Sequence, residues 1–449
     1  MDLMILGGTI VTMSSMGIIR NGAIIIEDNQ IIDVGEAERL KNKYSRYEKI
    51  DAKGKVVIPG LVNTHNHIAM SLLRGYADDY PLKEWLEKWI WPLESKMRGY
   101  DIYIGSLLTA VESIMGGITT INTMYHYMED GNEAQALAEA GMRGVVGHVC
   151  FSWRKDEDRR RLEALARKWH GKANGRIRIS VDPHAPYTVD PDYMRELKSI
   201  KEDLNERYGS DRNPIIWHIH LAETADEPEK IKESFGVDIE GGVVEYLNSL
   251  NVLGEDVIAA HCVSLTERDI KILADKGVKV SHNPISNLKL ASGISPIPKL
   301  IKAGVTVSLG TDGPSSNNVS DMFEVMKVTA LLHKGVSGDP TVLPAESVLR
   351  MATIDGARAL LWDGDIGSIE VGKKADIVIL NFRKPHLCPL YSEVSHLIYA
   401  AKASDVETVI IDGEIVMEDR EVKTVNVFRL MDQALRVRDD LLNRLETDG

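Results

Sequence analysis

Ile215-Ile216-Trp217-His218-Ile219-His220 is a short, almost wholly apolar run that closes on two histidines two positions apart. A strand with one wet face would alternate polar and apolar residues. A near-continuous apolar run suits a strand buried on both faces, as in a parallel sheet covered by helices. Working outward from it, runs of the same texture recur at 119–122, 143–147, 177–181, 257–261, 279–282 and 306–310, separated by helix-length amphipathic stretches. A first strand near 56–62 brings the set to about eight, and about eight such units over roughly 300 residues is the size of a (β/α)8 barrel. The fold class is therefore α/β, with a catalytic barrel expected over 58–365.

The rhythm differs at both ends. Residues 4–6, 9–11, 23–26 and 30–34 are short β-branched runs, with Gly7-Gly8, Asn21-Gly22 and Asp28-Asn29 reading as turns. The same texture returns at 376–380 and 407–413. These ends, 1–57 and 366–449, predict one small β-sandwich domain built from both termini. Its last stretch, 427–445, has helical apolar spacing with many charges and reads as a surface or interface helix.

Bulk properties exclude several classes. The 449 residues carry 53 basic and 67 acidic side chains, net −14, which argues against a nucleic-acid surface. No apolar run approaches the roughly 18 residues of a membrane-spanning helix. The N-terminus lacks a basic segment and a small-residue cleavage site. Cys150, Cys262 and Cys388 give no disulfide framework and no C-x-x-C pair, which fits a cytoplasmic protein.

Seven histidines (His65, His67, His184, His218, His220, His261 and His282) sit at or beyond the ends of expected barrel strands. Those carboxyl ends form the active face of such a barrel. His65 and His67 are two apart on an extended segment, so both rings can face one metal. His220, His261 and Asp312 close their own strands, and Glu223 follows His220. Histidines plus a carboxylate suit a divalent transition metal with one position left for water, whose pKa the metal lowers. Glu223 could then deliver a proton. His218 and His282 read as barrel-interior residues, and Cys262 faces away from His261 on an alternating strand.

Six segments carry a family resemblance. They are Pro-Gly-Leu-Val-Asn-Thr-His-Asn-His (59–67), His-Leu-Ala-Glu-Thr (220–224), Ala-His-Cys-Val (260–263), Ser-His-Asn-Pro-x-Ser-Asn-Leu-Lys-Leu (281–290), Gly-Thr-Asp-Gly (310–313) and Val-Gly-Lys-Lys-Ala-Asp (371–376). In this order the chain resembles the amidohydrolase superfamily, in the branch of S-adenosylhomocysteine, methylthioadenosine and 5′-deoxyadenosine deaminases and chlorotriazine hydrolases. The resemblance implies that His65, His67, His220 and Asp312 ligate one metal ion per subunit, zinc first, with iron and manganese also suited. It implies that Asp312 takes a proton from the attacking water, His261 orients it and Glu223 protonates the purine ring. Relatives with two metals have a bridging lysine after the fourth strand. Here Asp182-Pro183-His184 stands there, so a single metal is expected.

The same resemblance assigns a substrate side. Trp85 resembles an aromatic wall, Glu94 a ribose-binding carboxylate and His184 a substrate-binding histidine. A carboxylate can accept from two vicinal hydroxyls. Relatives that grip a homocysteine carboxylate tend to have arginine where this chain has His148, with Arg161 as a second clamp candidate. A histidine is the weaker partner, so small 5′ groups are expected: 5′-deoxyadenosine and methylthioadenosine ahead of S-adenosylhomocysteine. The expected partner is thus a small nucleoside, with no nucleic acid or membrane, in a homo-oligomer (dimer or tetramer). The competing readings are a guanine-type deaminase, a chlorotriazine hydrolase and a non-catalytic scaffold.

Overall fold

The computed structural model describes residues 2–447. Eight parallel strands follow one another around a barrel in chain order. They are β1 (Leu61–Asn66), β2 (Ile118–Tyr125), β3 (Arg143–Cys150), β4 (Ile177–Pro183), β5 (Ile216–Leu221), β6 (Val257–His261), β7 (Lys279–His282) and β8 (Val307–Leu309). Every residue in them is buried except Lys279, the pattern of parallel strands covered on both faces.

No backbone ladder joins β8 to β1. Polar side chains of the 59–67 motif close that seam. Thr64 Oγ1 donates to Leu309 O (2.9 Å), and Asn63 Nδ2 to Thr311 Oγ1 (2.7 Å). Asp312 N donates to His65 O at 3.0 Å, which fixes the carboxylate beside the histidine.

The strand expected at 56–62 divides in two. Lys55–Pro59 pairs in the terminal sheet, and β1 begins at Leu61. Pro59 has no N–H to continue a ladder. Gly60 allows the crossing because a Cβ there would lie 2.0 Å from Thr119 Oγ1. A second difference concerns Gly7-Gly8, expected as a turn. Leu3–Val11 is one strand there, with register shifts around Gly8 and a positive φ of 86° at Gly7, as in a β-bulge.

Both termini contribute to one continuous mixed sheet of nine strands, running Gln30–Glu36, Ile18–Glu27, Leu3–Val11, Lys55–Pro59, Ile377–Asn381, Val406–Ile411, Glu414–Glu418 and Glu421–Val422, with Glu48–Asp51 beside Leu3–Val11. Ile24, Ile26 and Ile31 from one side share a buried cluster with Ile377, Ile379 and Ile410 from the other, so the layers of the expected sandwich belong to one sheet. The barrel is tied to it by buried Arg143 at the start of β3, which donates to Asp376 and Asp412. The helix Val427–Thr447 packs Leu430, Val437 and Leu441 inward, and Arg444 donates to Asp101 at 2.7 Å. Among the described residues no helix is long and apolar enough to cross a membrane.

Candidate active site

His65 on β1, His67 just after it, His220 on β5, His261 at the end of β6 and Asp312 after β8 converge at the carboxyl end of the barrel. Ligand atoms of His65, His220 and His261 lie within 4.8 Å of one another, as do those of His65, His67 and Asp312. Asp312 Oδ1 is 3.2 Å from His65 Nε2 and 3.3 Å from His67 Nε2.

Hydrogen bonds fix which ring nitrogen faces the centre. His67 Nδ1 is 2.7 Å from Met124 O, and His220 Nδ1 is 2.8 Å from His184 O. Carbonyls only accept, so both Nδ1 atoms carry a proton, and in the neutral ring each Nε2 presents a lone pair. Yet these two Nε2 atoms stand 3.2 Å apart. Two neutral rings facing at that distance repel, so the contact calls for a proton or a metal ion between them. His65 Nε2 is buried with no hydrogen-bond partner, which points the same way. Burial holds His65 and His220 neutral, the ligating form. Burial also opposes charge on Asp312, but His65 and His67 hold its carboxyl well below the usual range. Burial would lower the His67 pKa as well, yet Asp312 lifts it to about 9. A site this favourable to a proton favours a divalent cation for the same electrostatic reason. The set fits a metal.

The cluster is braced from behind. His65 Nδ1 is 2.8 Å from His218 Nε2, and His218 Nδ1 is 3.6 Å from Asp182 Oδ2. Gly147 makes room for Asp182, since a Cβ there would fall 1.7 Å from its Oδ2. His261 Nδ1 is 2.8 Å from Asn287 Oδ1, and Ser286 Oγ donates to Asp312 Oδ2 (2.6 Å). Such outer partners orient ligating rings. The backbone is left-handed at Ala222, His261 and Asp312, with φ of 51°, 75° and 61°. None is glycine, so strain is held where the strands hand side chains to the site.

Glu223 is buried above the cluster, with Oε1 3.9 Å from His261 Nδ1. Burial raises its pKa above the ordinary carboxyl value, the direction a proton donor needs. Its backbone N–H donates to Glu227 Oε2 at 3.0 Å.

A cavity open to solvent lies over this floor. Trp85, Glu94 and His184 all line it. Glu94 Oε1 is buried with no partner, and its Oε2 lies 3.9 Å from His126 Nε2. Burial works against charge on Glu94, but His126 holds its pKa below the ordinary value. His184 hydrogen-bonds Thr188 Oγ1 at 2.9 Å and stacks on Phe151 at 4.9 Å. Burial lowers its pKa to about 3, so the ring is neutral.

His148 and Arg161 are not brought to this cavity. His148 is fully buried; its Nδ1 accepts from Tyr127 N (3.1 Å) and its Nε2 pairs with Asp158 (3.0 Å). Neither nitrogen is free for a substrate. Arg161 points off the helix Lys155–Trp169 and pairs with Glu157 one turn earlier. The arginine that approaches the wall is Arg154, whose Nη1 lies 3.1 Å from His126 Nδ1. His126, Phe151, Tyr187 and Arg154 were missed from sequence. His126 had a signal: β2 runs to Tyr125, past the expected end at 122, so His126 follows the same strand-end rule as the others. Among the remaining residues, His282 meets His333 (Nε2 to Nε2, 3.2 Å), and burial pushes the Cys262 thiol pKa up, leaving no reactive thiolate.

Comparison with known proteins agrees with this geometry. The amidohydrolase family model matches residues 56–416. The chain is 42% identical over 448 residues to a 5′-deoxyadenosine deaminase of Methanosarcina acetivorans, covering 99% of both chains. It is 44% identical over 423 residues to a 5-methylthioadenosine/S-adenosylhomocysteine deaminase of Desulforudis audaxviator, covering 94% of this chain and 95% of that one. It is also similar to the zinc-bound structure of an adenosine deaminase from Xanthomonas campestris, at 33% identity and a TM-score of 0.89, covering 98% and 99% of the two chains.

Proposed function

We propose that this chain, which belongs to the amidohydrolase family, is a hydrolytic deaminase that converts the 6-amino group of 5′-modified adenosines to the inosine analogue and ammonia. One observation carries the reading. A single cavity holds the histidine–carboxylate cluster and Glu223 at its floor and the partnerless Glu94 carboxylate on its wall. The floor suits hydrolytic attack on a heterocycle, and the wall suits a sugar diol.

His65, His67, His220 and Asp312 would hold one divalent cation, with zinc the first candidate because the Xanthomonas relative carries it. When bound, it supplies the Lewis acidity that makes water nucleophilic near neutral pH. Asp312 accepts the proton that this water releases. His261, held by Asn287, orients the water toward the purine carbon. Glu223 gives its proton to the neighbouring ring nitrogen as the carbon becomes tetrahedral. The amino group then takes the proton held by Asp312 and leaves as ammonia, while the added hydroxyl returns its proton to Glu223 as the carbonyl forms. Glu94 accepts from the sugar hydroxyls, with Trp85 and His184 on the same cavity wall.

Among the described residues the cavity wall contains no lysine or arginine, which supports small uncharged 5′ groups. S-adenosylhomocysteine is a second reading, because a side cavity sharing Leu82, Leu86, Trp91 and Tyr187 with the first contains Lys83 and Lys230. The ultraviolet change from adenine to hypoxanthine tests both on metal-loaded enzyme. Expected is faster turnover of 5′-deoxyadenosine and methylthioadenosine than of S-adenosylhomocysteine. A clear preference for the last overturns the size argument, and no turnover of any adenosine overturns the deaminase reading. Exposed Phe428, Met431 and Leu435 on the last helix support a homo-oligomer, which gel filtration checks.

A further inference from the structure

We propose that His126 is a sugar-hydroxyl ligand, acting as a hydrogen-bond donor beside the acceptor Glu94. The inference rests on the nucleoside reading above and adds a residue and a direction of hydrogen bonding to it.

The argument begins with Arg154. Its Nη1 is 3.1 Å from His126 Nδ1. A guanidinium has only donors, so Nδ1 must offer a lone pair. Nε2 is then the ring nitrogen that carries a proton. Arg154 is itself fixed: Nη2 donates to Val149 O (2.8 Å), Nε lies 3.3 Å from Asp158 Oδ1, and the guanidinium covers the Phe151 ring at 4.8 Å. The tautomer of His126 is therefore built into the wall.

His126 Nε2 faces Glu94 Oε2 at 3.9 Å. That is too long for a direct hydrogen bond, yet one hydroxyl oxygen can sit about 2.8 Å from both atoms. A hydroxyl both donates and accepts, so it would donate to the carboxylate and accept from Nε2–H. Glu94 Oε1, buried and without a partner, is left for the adjacent hydroxyl. A carboxylate alone accepts from any two hydroxyls. An added donor distinguishes one from the other and sets which must accept.

The test uses metal-loaded enzyme, 5′-deoxyadenosine and its further 2′-deoxy and 3′-deoxy analogues, with the parent and His126→Phe, which keeps a ring against Phe151. In the parent, loss of the bridging hydroxyl should lower kcat/KM by about five- to tenfold more than its absence does in His126→Phe. His126→Phe should lose a similar factor on 5′-deoxyadenosine itself, chiefly through KM. His126→Gln, which can still donate, should recover part of the loss. Ratios between substrates on one preparation cancel any loss of folded enzyme. Equal penalties for both analogues in parent and variant, or a fall in kcat at unchanged KM, overturn the assignment. If the parent turns over no adenosine, the nucleoside reading itself has failed; turnover without coupling refutes His126 alone.

Discussion

The buried tie between barrel and terminal sheet gives a stability prediction that can be worked bond by bond. Asp376 accepts from Arg143 Nε (2.7 Å), Arg143 Nη2 (3.0 Å) and Asp412 N (2.8 Å). Asp412 accepts from Arg143 Nη2 (2.7 Å) and Asn29 Nδ2 (3.2 Å). The trio carries one positive and two negative charges, nearly out of water. Asp376→Ala removes the two-pronged face and strands Asp412 N, leaving Arg143 on a single bond. Breaking such a buried pair costs about 3–5 kcal/mol. Asp412→Asn keeps an acceptor oxygen and leaves the two-pronged pair intact, so it should cost about 1 kcal/mol. Arg143→Met leaves two carboxylates together and should be at least as damaging as Asp376→Ala. Thermal unfolding of metal-loaded enzyme measures the order, and kcat per folded molecule should not move because Arg143 opens β3 at the end away from the site. Equal Tm shifts for Asp376→Ala and Asp412→Asn would refute the reasoning.

Three further outcomes are expected. Glu223→Gln keeps the shape but not the transferable proton, so kcat should fall by about 10²–10⁴ at unchanged metal content; activity within a few-fold of the parent excludes the proton role. Burial is the main cause lifting the Glu133 pKa from 4.5 to about 8. A carboxyl raised on folding stabilises below its unfolded pKa, and that stability is lost as pH rises toward 8. Urea midpoints should therefore fall between pH 5 and 8 more steeply in the parent than in Glu133→Gln, and parallel curves sink the idea. Chelation should lower Tm as well as abolish turnover, with recovery on adding zinc, because the cation binds only the folded cluster; an unchanged Tm would mean the four ligands hold nothing.

The barrel was legible because burial on both faces leaves a direct trace in sequence: β5 and β6 are near-continuous apolar runs up to their histidines. The convergence of the clustered residues was legible too, since strand ends face the site and histidines there are conspicuous. What failed was orientation beyond the strands. His148 lies on β3 itself and Arg161 on the next helix, yet the intervening turn puts Arg154 behind His126 and leaves His148 with Asp158. Residue type and chain position cannot say which of several cations a turn will aim inward. The Gly7-Gly8 bulge escaped for a related reason, because paired glycines permit a turn and a bulge equally.

Arg154 sits behind the His126 side of the pocket. Its guanidinium meets the His126 ring, the Val149 carbonyl and the Asp158 carboxylate at once. Those contacts hold His126 as a donor toward Glu94, and they leave Arg154 paired before any substrate arrives. A substrate carboxylate would have to compete with Asp158 for this cation, and success would withdraw the guanidinium from Nδ1 and free the His126 tautomer. Close reading of the sugar and strong binding of a 5′ carboxylate are then opposed through one residue. Asp158→Asn should loosen both together: better relative turnover of S-adenosylhomocysteine, and poorer discrimination between the 2′- and 3′-deoxy analogues. If only one of the two changes, Arg154 does not couple them.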